Sequence, residues 1–188
     1  MLRKTVPWFA FLLVLSLAAC GGPRTMMMKM MGMGDMASAL HNMDYVMKDL
    51  KTGAERRQHM MAKQSKAIET GKKLFNDAKL GTATKGVSCN SCHPGGDTTG
   101  GTAQVPMRQY QMPIPSLIGA SATFPKYKPP NDAVISLQQM NNNCNKMFMG
   151  GKGLQLGSEE ARYLAAYVAL LSNGQEVSVG QSRMKMMK

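Results

Sequence analysis

Several things are scarce in this sequence of 188 residues, and each scarcity excludes a class of protein. Cysteine occurs only four times, too rarely for a secreted scaffold held by disulfides. There is no Gly-X-Y or heptad period, so the chain is not fibrous. No strand-like alternation matches the strength of its helical patterns, which leaves a mainly α fold. Acidic residues number 11 against 23 Lys and Arg, so the chain is strongly basic and suits acidic proteins or anionic lipid headgroups. The length allows one domain with appendages rather than a multidomain enzyme. The longest apolar run, Trp8 to Leu17, is too short to be an ordinary membrane span.

That run follows Arg3 and Lys4 and ends in Leu17-Ala18-Ala19-Cys20-Gly21-Gly22. The pattern resembles the lipobox of bacterial lipoproteins. The resemblance implies cleavage after residue 19, lipidation of Cys20 and a stable anchor in the cell envelope, facing the periplasm. Glycine rather than aspartate after the cysteine resembles an outer-membrane address in Gram-negative hosts. The mature chain would keep 21 basic and 11 acidic residues. Export argues against nucleic acid as the partner of that charge.

The expected organisation is a signal peptide at 1–19, a Met-rich tether at 20–64, a domain at 65–177 and a flexible tail at 178–188. Eleven of the twenty methionines lie between Met26 and Met61. Clustered thioethers can bind Cu(I), although a flexible apolar surface has the same composition. Within the tether, Leu40, Met43, Met47 and Leu50 fit a helix from Ala37 to Leu50. In the domain, helices are expected from Ser65 through Lys79, from near Asp132 through Phe148, and from Ser158 to Asn173-Gly174.

The chemistry concentrates in Cys89-Asn90-Ser91-Cys92-His93. This is the C-x-x-C-H signature of covalent haem attachment. Two thiols add to the haem vinyl groups as thioethers, and the adjoining imidazole reaches the iron. A thioredoxin-like dithiol needs a βαβ context, and a structural zinc site needs a second ligand pair. Neither is present. One motif predicts one covalent haem c.

Helix, C-x-x-C-H, long loop and closing helix resemble the plan of a class I cytochrome c domain. The resemblance implies that Gly71, Phe75 and Tyr167 serve the crossing of the first and last helices. It also matches Pro115-Ser116-Leu117-Ile118-Gly119 to the family's P-x-L-x-G segment. There Pro115 would hold the His93 ring and Leu117 would pack on the haem.

The second axial ligand decides between electron transfer and catalysis. Met107, Met112, Met140, Met147 and Met149 are candidates within the domain, with Met147 and Met149 kept as the main methionine alternatives. His41 and His59 lie in the tether. Cys144 remains unexplained by lipidation or haem attachment. Its surroundings are similar to the N-terminal haem domain of thiosulfate dehydrogenases and the cytochrome subunit of the Sox system. The similarity is carried by Asn142 or Asn143, Cys144, Met149 to Leu154, Ser158 with Glu160, and Leu171 to Gly174. Gly95-Gly96 and Phe124-Pro125-Lys126-Tyr127 add to it.

The resemblance implies that Cys144 is the distal ligand and, if sulfur is oxidised, the catalytic residue. Lys146 and Lys152 could attract a small sulfur anion. This sequence has Met147 where the family places a basic residue, and glycine at 150 and 153 where it places Asn and Pro. The sequence contains no second haem domain, so electrons would pass to redox protein partners. The expected function is a monohaem lipoprotein carrying electrons, with a haem subunit of a sulfur-oxidising system as the alternative.

Overall fold

In a computed structural model the described residues are 52–106, 108 and 110–181, together with 38–41, 43, 44 and 48. Cys20, where lipidation is expected, most of the Met-rich stretch, Met107 and the end of the tail lie outside them. The chain divides into two units, Met1–Arg56 and Arg57–Lys188. In the first, the described positions from 38 to 48 are helical, and Lys48 pairs with Asp44 at 3.1 Å. No helix among the described residues is long and apolar enough to cross a membrane.

Helix α1 covers Gly53–Asn76, beginning well before the expected Ser65. The reason is a capping box at Thr52: its Oγ1 accepts from Glu55 N at 3.1 Å, and Glu55 Oε2 accepts from Thr52 N at 2.8 Å. One turn of helix, α2, spans Cys89–Cys92. Two short antiparallel pairs follow, β1 (Thr102–Gln104) with β2 (Gln111–Pro113), and β3 (Lys126–Lys128) with β4 (Ala133–Ile135). Helix α3 covers Leu137–Cys144 and continues as a wider turn through Asn145–Met149. Helix α4 covers Glu159–Leu170.

The β3–β4 pair corrects the expected helix start near Asp132. Asp132 adopts a left-handed φ of 46°, which turns the chain back so that Tyr127 faces Val134 in the ladder. The β-branched Val134 and Ile135 suit that strand. Helix α3 starts only after Ser136, whose side chain forms a capping box with Gln139. Helix α4 starts where the sequence places it, with Ser158 Oγ accepting from Ala161 N at 3.2 Å.

Helices α1 and α4 meet at Gly71. A Cβ there would lie 2.0 Å from the Tyr163 carbonyl oxygen and 2.8 Å from Tyr167 Cβ, so only glycine admits this approach. One turn on, the Phe75 and Tyr167 rings lie 5.2 Å apart at 59°. These two residues join Leu80, Met149, Leu164 and Val168 in the buried core. Cys89 and Leu117 pack against its margin, so the core forms one wall of the haem-motif region.

Candidate haem site

The attachment motif is built locally. Ser88 caps α2 by accepting from Ser91 N at 3.3 Å, while Ser91 Oγ accepts from Ser88 N at 3.1 Å. The turn sets Cys89 and Cys92 three residues apart, hence on one face. His93 N closes the turn on Cys89 O at 2.8 Å. Asn90 Oδ1 then accepts from Gly95 N at 2.8 Å, which steers the chain past the histidine.

His93 Nδ1 lies 2.8 Å from Pro115 O. A carbonyl only accepts, so Nδ1 carries the proton and Nε2 keeps its lone pair. This is the tautomer an iron ligand needs, with its ring fixed by a second partner. Burial pushes the His93 pKa down, and the Pro115 carbonyl opposes that shift. The proline segment is itself held. Leu117 N donates to Gly96 O at 2.9 Å, and Gly119 N donates to Leu171 O at 3.1 Å. Gly96 has a φ of 84°, and a Cβ there would lie 2.4 Å from Leu171 Cδ1. The Gly95-Gly96 pair therefore lets the haem-motif loop close onto the segment after α4.

Cys144 arrives from the other end of the sequence, at the close of α3. It interacts electrostatically with Cys92, and Cys89 in turn feels Cys144. The structure thus brings Cys89, Cys92 and Cys144 into one neighbourhood, and none is in a disulfide. Burial pushes the Cys144 thiol up to about 11; Lys128 lowers it and Cys92 raises it further. Burial also pushes Cys89 up to about 12, with Cys144 adding to it and a backbone hydrogen bond opposing. Cys92 is raised by burial too. Without a cationic partner strong enough to offset burial, these free thiols stay protonated near neutral pH, and only coordination to a metal would deprotonate Cys144.

Amides fix the cysteine's helix. Asn142 bonds Leu154 twice, through Nδ2 to O at 2.7 Å and Oδ1 from N at 2.8 Å. Buried Asn145 donates to Leu80 O at 2.7 Å and accepts from Gly153 N at 2.8 Å. Asn143 donates to Asn131 Oδ1 at 2.6 Å, which ties the turn after β3 to the residue before Cys144. Lys128, at the end of β3, also acts electrostatically on Cys144. Sequence reasoning named Lys146 and Lys152 and missed Lys128, because a hairpin rather than helical spacing delivers it.

The two main methionine alternatives sit on the turn that follows Cys144. Met149 is 2% exposed within the core, and its Sδ accepts from Asn145 Nδ2 at 3.8 Å. Its carbonyl also accepts from Thr84 N and Lys85 N, each at 3.1 Å. Met147 is half-buried on the turn after α3.

Residues 113–177 match the family described as SoxA/TsdA, cytochrome c domain. Over those residues the chain is similar to a cytochrome c domain of this type. An 89-residue stretch is 28% identical to a thiosulfate dehydrogenase of Allochromatium vinosum. It covers 47% of this chain and 30% of that protein, so less than a third of the relative's length is matched. The family match includes Pro115, Leu117 and Cys144 and begins after the C-x-x-C-H motif. The His93–Pro115 bond joins the two parts into one site.

A cytochrome c domain implies covalently bound haem c, and the residues fit that group. Two thiols share a face, a histidine presents Nε2, and Leu117 and the core margin supply apolar wall. Among the described residues, no three His, Cys, Asp or Glu side chains converge as they would around a bare ion. Cys89, Cys92 and His93 lie on α2 and the residue after it, and Cys144 lies at the end of α3.

Proposed function

We propose that the protein is a monohaem c-type cytochrome lipoprotein that carries electrons in the bacterial cell envelope. One haem c would be attached through Cys89 and Cys92, with His93 and Cys144 as axial ligands. The observation that carries this reading is the His93 Nδ1–Pro115 O bond at 2.8 Å, which reserves Nε2 for a metal directly after Cys92. Bound there, haem supplies a one-electron iron couple. The residues of the chain attach, orient and tune it. Cys89 and Cys92 hold it covalently, Pro115 fixes the imidazole, and Leu117 keeps the site apolar. Cys144 would place negative charge on the iron and hold its potential low. The electrons pass to redox protein partners.

The anchor belongs to the same proposal and rests on Leu17-Ala18-Ala19-Cys20 with the glycines that follow. It places the domain on the periplasmic side of the envelope, with the outer membrane favoured in a Gram-negative host. Haem retained through denaturation, seen as added mass on the polypeptide, tests the attachment; a mature protein without that mass refutes it. Cys20→Ala should release the protein from membranes, and unchanged attachment would refute lipidation.

A specific observation favours the second reading, a haem subunit of a sulfur-compound oxidising system. Lys128 acts electrostatically on Cys144, and both lie within the stretch that matches the SoxA/TsdA family. A thiol within the field of an ammonium suits a small sulfur oxyanion. Reduction of the purified protein by thiosulfate or sulfite alone would support this reading. Reduction only through a donor protein would leave the carrier.

A further inference from the structure

The amide side chains of α3 and the turn after it are almost all engaged. Gln138 Oε1 accepts from Gly157 N at 3.2 Å, and Gln139 Oε1 accepts from Ser136 N at 2.8 Å. Asn142 is tied to Leu154, Asn143 to Asn131, and Asn145 to Leu80 and Gly153. Asn141 differs. Its Nδ2 is fully buried and has no hydrogen-bond partner among the described residues. Buried amide donors are rarely left unpaired, because their desolvation is then uncompensated. Within Asn141-Asn142-Asn143-Cys144-Asn145, the orphaned donor stands three residues before Cys144, hence on the same face of the helix.

We infer that Asn141 is a positioning residue whose Nδ2 donates a hydrogen bond to an electron-rich acceptor of the bound haem unit, either the axial sulfur or a propionate oxygen. The inference rests on the haem reading above. Both acceptors carry negative charge that favours ferric iron, so a donor to either one raises the reduction potential. Asn141 therefore tunes the potential upward against the lowering effect of a thiolate ligand. The neighbouring asparagines build the frame, and Asn141 faces the cofactor.

The test uses the intact haem-loaded protein. Asn141→Leu removes the donor at similar volume, and Asn141→Asp replaces it with an acceptor of nearly the same shape. Midpoint potentials and the ferric absorption and electron paramagnetic resonance spectra are compared with those of the parent. Both variants should have lower potentials, the aspartate by more, and Asn141→Gln should recover part of the loss. The same Asn141→Leu change in a Cys144→Met background separates the two acceptors. Loss of the effect there assigns the axial sulfur, and a preserved effect assigns the propionate. Haem-loaded variants whose potentials are unchanged or raised overturn the inference. A parent protein without covalent haem overturns the haem reading itself, a distinct result.

Discussion

Replacing Gly71 by alanine adds one methyl group at the closest approach between α1 and α4. The new Cβ would sit 2.0 Å from Tyr163 O and 2.7 Å from Tyr163 C, both backbone atoms that cannot rotate aside. Ordinary contact requires about 3.5 Å, so the helices must separate by more than about 1 Å. Such overpacking costs about 1–3 kcal/mol. Moving the Phe75 and Tyr167 rings from their 5.2 Å contact costs about another 1 kcal/mol. Alanine's better helix propensity offsets about 1 kcal/mol of this. The net expectation is a loss of about 1–3 kcal/mol. At about 4 °C per kcal/mol, this lowers Tm by about 4–12 °C. Thermal unfolding of the haem-loaded protein measures it, with Ser65→Ala on the exposed part of α1 as the reference for propensity alone. A Gly71→Ala protein as stable as that reference would refute the close-packed crossing.

Asn145→Ala removes two buried hydrogen bonds that join the turn after α3 to Leu80 and Gly153, and should cost about 3 kcal/mol in denaturant unfolding. An effect below about 1 kcal/mol would contradict its bridging role. Lys128→Gln should slow reduction by small anions about tenfold at low ionic strength, with the difference shrinking as salt rises. Rates insensitive to both residue and salt would remove Lys128 from the site. Cys89→Ser and Cys92→Ser should each leave one thioether, and the double replacement should let acidified solvent extract all the haem; haem still covalently held in the double variant would contradict the attachment.

The parts of the site legible in the sequence are the local ones. C-x-x-C-H needs only adjacent residues, and Ser158 with Glu159 and Glu160 marks the start of α4 within one turn. Gly71, Phe75 and Tyr167 could be paired only through family resemblance, yet the crossing they make is present. The start of α1 was written in Thr52-Gly53-Ala54-Glu55, a capping box overshadowed by the Met-rich composition around it. Strand β4 reads as helix in the sequence because Ala133-Val134-Ile135 runs straight into a genuine helical pattern. Only the left-handed Asp132 and the Ser136 cap separate the two. Lys128 and the framework asparagines were not legible, since their partners lie far along the chain or across a hairpin. The burial of Met149 beside Phe75 and Leu164 was likewise not legible, since it depends on how the turn after α3 packs against α1 and α4.

The central claim is that a covalent haem lies between His93 and Cys144. The most direct measurement is the absorption spectrum of the purified ferric protein, from the Soret band through the near-infrared, for the parent and for Cys144→Met. The account predicts charge-transfer features of thiolate-ligated ferric haem in the parent, without the weak near-infrared band of methionine ligation, and a higher potential in the variant. A parent spectrum that already shows the methionine band and does not change in Cys144→Met would contradict it.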